Sequence, residues 1–170
     1  MDEHDIKTVF SNKSDDWTTP DWLYEKLNKE FKFTLDPAAS NENHKCQKYY
    51  TLEQDGLAQD WKDEIVFCNP PYSQNKEWLK KFYHEAKTSG ATVVALLPVR
   101  TCTKWFHGYC MDSSIIKEIR FFKGRLKFSN QKHGAPFPSM LVIFQLPQKT
   151  NALFPAYREH VEIKAISNKA

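Results

Sequence analysis

Two continuously apolar stretches with an amphipathic segment between them dominate the middle of the chain. Residues 64–69 (EIVFCN) and 91–98 (ATVVALLP) are rich in β-branched side chains, which is typical of strands buried on both faces. The segment 75–90 between them has apolar residues at helical spacing and ends in a glycine, a common helix stop. Its apolar side consists of Trp78, Leu79, Phe82, Tyr83 and Ala86. The pattern predicts a strand, a helix and a strand.

A second amphipathic pattern precedes the first buried strand. Thr19 is suited to cap a helix, Pro20 to its first position and Asp21 to the positive end of its dipole. Apolar residues then recur every four positions at Leu23, Leu27 and Phe31. The following stretch, KFTLDPAAS, predicts a short strand that ends at Asp36.

The last third of the chain contains three further patterns. Residues 103–111 (TKWFHGYCM) predict a helix, and 116–128 and 139–146 predict two strands joined by a loop with glycine and proline. Alternating strands and helices predict an α/β fold with a mostly parallel sheet, which ends here in an antiparallel hairpin. Because parallel strands end at the same edge of a sheet, polar residues that follow the strands are expected to face one cleft.

Length and composition set limits on this picture. The 170 residues suit one domain, and we expect a flexible arm at 1–16, the folded domain at 17–147 and a polar tail at 148–170. A net charge of +3 permits an anionic partner without requiring one. The four cysteines show no metal-binding spacing, and the charged N-terminus lacks an apolar signal segment. We therefore expect a cytoplasmic protein, a monomer or weak dimer, with no metal and no membrane partner.

The first buried strand stops at Asn69, Pro70, Pro71 and Tyr72, where two prolines cannot continue a ladder. The Asn69 side-chain oxygen and the Pro70 carbonyl are two fixed acceptors for one NH2 group, and Tyr72 offers a ring for stacking. Adenine, planar with an exocyclic amine, fits this arrangement. When these two acceptors form hydrogen bonds with both N–H groups of the amine, the nitrogen lone pair becomes localised and can attack an electrophilic methyl group. An ordinary proline turn is the alternative.

The same four residues match the N-P-P-Y motif of amino-methyltransferases that use S-adenosylmethionine. The chain as a whole resembles the phage-type DNA N-6-adenine methyltransferases (Dam-like). The resemblance covers residues 16–144 through the segments DWTTP, TLDPAAS, KCQKYYT, QDGLAQDW, NPPYS, LLPVRTCTKWFH, FFKGRLKF and APFPSMLVIF. It implies a Rossmann-like class I methyltransferase sheet. It also implies methyl transfer from S-adenosylmethionine to N6 of a flipped-out adenine in double-stranded DNA, with GATC as the possible site.

The resemblance also implies roles for individual residues. The implied catalytic residues are Asn69, Pro70, Pro71 and Tyr72. The implied cofactor residues are Trp17, Thr18, Thr19 and Pro20 for the methionine end, Asp36, Pro37 and Ala38 in the first cofactor motif, Asp55, Gly56 and Leu57 near the cofactor adenine, and Asn69. The chain departs from larger methyltransferases because no G-x-G follows Asp36 and only nineteen positions separate it from Asp55. The sheet must therefore be abbreviated after its first strand. Candidates to bind the ribose of the cofactor are Asn41, Asn43 and Glu53.

Basic and aromatic residues interleave after the second buried strand, which is typical of a nucleic-acid surface. The predicted DNA-binding residues are Arg100, Lys104, Lys123, Arg125 and Lys127. For any single lysine a solvated surface is the simpler interpretation. Two other functions stay open: methylation of a planar amine or amide in RNA or in a protein glutamine, and nucleic-acid binding without catalysis.

Overall fold

The computed structural model describes residue 15 and residues 17–112, 114–147 and 161–168. Most of the expected N-terminal arm and of the polar tail lies outside the described residues. The elements in chain order are α1 (Asp21–Phe31), β1 (Leu35–Asp36), β2 (Lys48–Tyr49), β3 (Ile65–Cys68), a 3-10 turn (Tyr72–Gln74), α2 (Asn75–Thr88), β4 (Thr92–Pro98), a π-helical segment (Phe106–Cys110), β5 (Ile116–Phe122), β6 (Ser139–Phe144) and β7 (Glu162–Ile166).

The seven strands form one mixed sheet in the order β2-β1-β3-β4-β6-β5-β7. The pairs from β2 to β4 are parallel, and β6 is antiparallel to both β4 and β5. Strand β7 pairs in parallel with β5, so β6 alone runs in the opposite direction. The predicted α/β class and the mostly parallel sheet with an antiparallel β5–β6 hairpin are therefore confirmed, but β7, and not the hairpin, forms the edge of the sheet. The carboxyl ends of β1, β3 and β4 share one edge, called the carboxyl edge below.

Apolar layers cover both faces of the sheet, which explains the continuous apolar runs of the central strands. Val93, Ala95 and Leu97 of β4 belong to the cluster that contains Leu79 and Phe82 of α2. The alternate β4 residues, Val94 and Leu96, belong to a second cluster with α1 and the β5–β6 loop. The side chains on that second face include Leu23, Leu27, Leu126 and Phe128.

Several details differ from the sequence prediction. Helix α1 begins at Asp21, after Pro20, and no side chain caps its first turn. Thr19 is therefore not the cap, and its hydroxyl group has a different partner, described below. The strand predicted to continue to residue 128 ends at Phe122, because the chain then turns at Gly124, whose φ is 80°.

Two strands lie in segments for which the sequence pattern predicts no element. Strand β2 has only two residues, and β7 lies in the expected polar tail. The buried carboxylate of Glu118 on β5 accepts hydrogen bonds from Arg120 and from Lys164 of β7. Arg120 also forms an ion pair with Glu30 of α1. This charge network helps to hold β7 against the sheet.

Candidate active site

A cavity of about 550 Å³ lies at the carboxyl edge. It is bounded by the segment before α1, the loops that follow β1 and β2, and the end of β3. The predicted site residues that line it are Trp17, Thr18, Thr19, Asp36, Pro37, Ala38, Asp55, Gly56, Leu57, Asn69 and Pro71. Within the described chain, Pro20, Pro70 and Tyr72 lie outside this lining. Most of the predicted cofactor residues thus converge on one space, although they come from well-separated parts of the sequence.

Asp36, the last residue of β1, provides a buried carboxylate at the cavity. Its oxygens accept hydrogen bonds from the backbone N–H groups of Lys45 (2.9 Å) and Ala38 (3.4 Å). Burial nevertheless raises the pKa of Asp36 to about 6, because removal of the carboxylate from water outweighs these two hydrogen bonds. A cation bound beside Asp36 would favour the ionised form.

The turn at Asp55 and Gly56 packs directly against the loop after β1. Asp55 has a φ of 49°, and its side chain accepts a hydrogen bond from the Leu57 N–H group (3.2 Å). A Cβ atom added to Gly56 would lie 2.0 Å from the Pro37 carbonyl oxygen. The indole N–H group of buried Trp61 donates to the Gly56 carbonyl (3.0 Å). Gly56 is therefore required for close backbone contact, in addition to forming part of an ordinary Asp-Gly turn.

Asn69 follows β3 at the carboxyl edge, and two acceptors hold the NH2 group of its side chain. Nδ2 donates to the Trp17 carbonyl and to the Thr19 hydroxyl oxygen, the latter at 3.1 Å. Oδ1 is buried and has no hydrogen-bond partner in the described structure. A buried acceptor without a partner is costly, and such atoms in native proteins often mark a ligand contact.

Tyr72 begins the 3-10 turn that leads into α2, and its ring is half-buried. It packs edge-on against Phe137, with ring centroids 5.4 Å apart. The hydroxyl group is buried without a hydrogen-bond partner in the described chain, and burial raises the pKa of Tyr72. The next residue, Ser73, donates its N–H group to the Asp15 carboxylate (3.1 Å), which ties the N-terminal segment to this turn.

Comparison with known proteins shows which family this chain belongs to. Residues 7–168 match the family described as DNA N-6-adenine-methyltransferase (Dam). This match spans nearly the whole chain. The chain belongs to the Dam family.

Two phage relatives in the Dam family illustrate the match. The DNA N-6-adenine-methyltransferase of Haemophilus phage HP1 is 32% identical over 156 residues, which cover 87% of this chain and 88% of the relative. The protein of the same name from Escherichia phage T1 is 36% identical over 92 residues, which cover 53% and 38% of the two chains. The predicted resemblance is thereby confirmed.

A solved structure agrees with the Dam-family chain in fold. A Listeria monocytogenes protein, described as a candidate class I S-adenosylmethionine-dependent methyltransferase, superposes with a TM-score of 0.52 at 16% identity. The superposition covers 91% of this chain and 67% of the other. The sheet therefore has the class I methyltransferase fold.

The cavity of this Dam-family chain also contains residues that the sequence did not single out for it. These further lining residues include Ser40, Glu42, Lys45, Thr51, Leu52, Gln74 and Trp78. The turn between Ser40 and Asn43, closed by backbone and side-chain hydrogen bonds of 3.0 Å, brings Glu42 to the cavity. Of the three ribose candidates, Asn43 lines the cavity and Asn41 and Glu53 do not. Glu42 lies in an irregular polar stretch, where no periodicity could have identified it.

The predicted DNA-binding residues follow β4 and β5, which both end at the carboxyl edge. Lys104, Lys123, Arg125 and Lys127 are exposed, and Arg100 is half-buried. The β5–β6 loop turns the buried side chains of Leu126 and Phe128 inward and leaves its basic side chains in solvent.

Metal-ligand clusters and membrane-spanning helices were both sought in the part of the chain that the structure describes. No cluster of three or more potential metal ligands occurs among these residues. In the same residues, no helix is both long enough and apolar enough to span a bilayer.

Proposed function

We propose that this chain methylates N6 of adenine in double-stranded DNA, with S-adenosylmethionine as the methyl donor. Membership of the Dam family supports the reaction class. The observation that carries the proposal is the fixed side chain of Asn69, a residue that lines the cavity at the carboxyl edge and whose buried Oδ1 atom has no hydrogen-bond partner in the described structure. An acceptor held at the end of a buried strand suits an amine that donates hydrogen bonds while it attacks a methyl group and then releases one proton.

The cavity residues suit the cofactor in shape and in chemistry. The volume of about 550 Å³ accommodates a nucleoside with an amino-acid chain. Asp36 would hold the ammonium group of the methionine end, and Asp55 would accept from the amino group of the cofactor adenine. The close contact between Gly56 and Pro37 shapes the wall between these two carboxylates. Once bound, S-adenosylmethionine supplies an electrophilic methyl group.

The target adenine would be held by Asn69, Pro70 and Tyr72. Asn69 Oδ1 and the Pro70 carbonyl would accept hydrogen bonds from the two amine N–H groups, which raises the nucleophilicity of N6 in the transition state; one proton leaves after the methyl group is transferred. The ring of Tyr72, a half-buried residue, would provide a surface for stacking of the base. Because a paired adenine cannot reach this pocket, the base has to leave the duplex.

The surrounding surface would hold the DNA backbone. Arg100, Lys104, Lys123, Arg125 and Lys127 would contact phosphates or base edges, and GATC is the proposed recognition site. A DNA substrate and phage relatives also favour action in the cytoplasm of the host cell. We expect the protein to act as a monomer or weak dimer.

The test is methyl transfer by the purified protein to duplex DNA, RNA and protein substrates, with tritiated S-adenosylmethionine. We expect N6-methyladenine in DNA, and its positions in a random-sequence duplex library would reveal the recognition site. The matched variant Asn69→Ala should bind the cofactor and transfer methyl groups at least about a hundredfold more slowly. Transfer only to RNA or to a protein glutamine would refute the proposed substrate.

A further inference from the structure

The orientation of the Asn69 amide decides whether this side chain can act on an amine. The two ends of an asparagine side chain have nearly the same shape, but one accepts hydrogen bonds and the other donates them. An NH2 group that faced the substrate amine would place donors against donors. The proposed reaction therefore requires the arrangement in which Oδ1 faces the substrate.

The Trp17 carbonyl determines this orientation, because a carbonyl oxygen can only accept. The atom that faces it must be Nδ2, and Nδ2 also donates to the Thr19 hydroxyl oxygen at 3.1 Å. A rotated Asn69 side chain would lose the hydrogen bond to the Trp17 carbonyl and bring Oδ1 against that oxygen, a cost that a hydrogen bond donated by the Thr19 hydroxyl group to Oδ1 would not offset. The opposite end, Oδ1, is then the one without a partner in the described structure.

The two acceptors are themselves held by the surrounding structure. Thr19 is only 3% exposed. The Trp17 ring packs against both Phe128 and Phe137, with centroid distances of 5.3 and 5.1 Å. The intervening carbonyl of Thr18 accepts from the Ser129 N–H group (2.9 Å). Residues 17–19 are thus a fixed support for Asn69.

We infer that Thr19 is a positioning residue for catalysis: its hydroxyl group, with the Trp17 carbonyl, holds Asn69 so that Oδ1 faces the target amine. This inference rests on the proposed function and deepens it. The sequence pattern assigns Thr19 to the helix cap, and the family resemblance assigns it to the methionine end of the cofactor. The observed contact gives it a role in the chemical step.

The experiment compares Thr19→Val, Thr19→Ala and Thr19→Ser with the wild type. Valine keeps the shape of threonine and removes the acceptor, while serine retains it. Single-turnover methyl transfer to duplex DNA should slow roughly tenfold in the valine and alanine variants, the kinetic equivalent of one neutral hydrogen bond. The serine variant should stay within about twofold of the wild type. Because Thr19 also lines the cavity, transfer is measured at saturating S-adenosylmethionine, and calorimetry gives the cofactor affinity of each variant separately.

Thr88→Val serves as the matched control, because the Thr88 hydroxyl donates to the His84 carbonyl on the exposed surface of α2. Its transfer rate should equal that of the wild type. Melting temperatures of all variants would separate loss of fold from loss of rate. A wild-type rate in folded Thr19→Val or Thr19→Ala, or a serine variant as slow as the valine variant, would overturn the inference. A loss of rate explained wholly by weaker cofactor binding would also overturn it.

A second readout does not depend on activity. In protein labelled with ¹⁵N-asparagine, the two Asn69 side-chain amide signals, assigned by their loss in Asn69→Ala, should shift in Thr19→Val and be restored in Thr19→Ser. Unchanged amide signals would contradict the Thr19 contact. If the signals shift as expected and the wild type methylates no substrate, the proposed function fails while the Thr19–Asn69 contact stands.

Discussion

Replacement of Gly56 by alanine should disrupt the cofactor cavity through a single methyl group. The added Cβ atom would lie 2.0 Å from the Pro37 carbonyl oxygen and 2.9 Å from the carbonyl carbon. Ordinary contact begins at 3.4 Å, so the two backbone segments would have to separate by about 1.4 Å. The obstacle is backbone, and no side-chain rotation can relieve it.

The displaced segments carry the two carboxylates assigned to the cofactor, Asp36 and Asp55. Overpacking of this kind costs about 1–3 kcal/mol of folding free energy. If the cavity opens by more than an ångström, at least one carboxylate moves away from the cofactor, which corresponds to about 1.5–3 kcal/mol for a hydrogen bond to a charged group. We therefore expect the affinity for S-adenosylmethionine to fall by about tenfold to a hundredfold.

Calorimetric titration with S-adenosylmethionine and thermal unfolding are the appropriate measurements. Gly108→Ala is a matched control, because a Cβ atom built at Gly108 has no described atom within 4 Å outside its chain neighbours and its own helical segment. The control should bind the cofactor like the wild type. Wild-type affinity and melting temperature in Gly56→Ala would refute the steric argument and with it the assignment of this cavity wall.

Three further predictions concern charge, catalysis and DNA. Because the pKa of buried Asp36 is about 6 in the folded chain and lower in the unfolded one, the unliganded protein should lose stability as the pH rises from about 4 to 6. Cofactor affinity should increase over the same range with release of a proton, which calorimetry in two buffers would detect, and Asp36→Asn should abolish both effects. Asn69→Ala should lower kcat by about a hundredfold in a protein that still unfolds cooperatively; a normal kcat would contradict its role. Replacement of Lys123, Arg125 and Lys127 by glutamine should weaken the binding of all DNA duplexes. The slope of log affinity against log salt concentration should fall by about one unit for each of these side chains that binds a phosphate. DNA binding that does not depend on salt would show that the DNA lies elsewhere.

The central elements could be predicted from the sequence because their packing leaves a local signal. Strands β3 and β4 are buried on both faces, so their sequences are continuously apolar. Helix α2 buries one side, which gives helical spacing. Strands β2 and β7 leave no such signal, since β2 has only two residues and four of the five residues of β7 are exposed. The ion pair that ties β7 to the sheet joins Lys164 to Glu118, 46 positions earlier.

For the site, too, residues could be predicted where the signal is local in the sequence and not where it depends on a distant contact. Asp36 and Asn69 could be predicted to meet, because each lies at the end of a strand that reaches the carboxyl edge. The role of Thr19 could not, because its sequence context is that of a helix cap and its partner Asn69 lies 50 positions away. Glu42 reaches the cavity through a turn without regular structure. Local sequence patterns therefore identify the site residues that lie at strand ends, and they miss the site residues that lie in loops.

The support for Asn69 links the chemical step to the proposed DNA surface. The β5–β6 loop has exposed basic residues on its outer side and buried Phe128 on its inner side, against Trp17. The same loop hydrogen-bonds to the backbone of Thr18 through Ser129 and Asn130. These contacts couple the β5–β6 loop to residues 17–19, which hold the amide of Asn69.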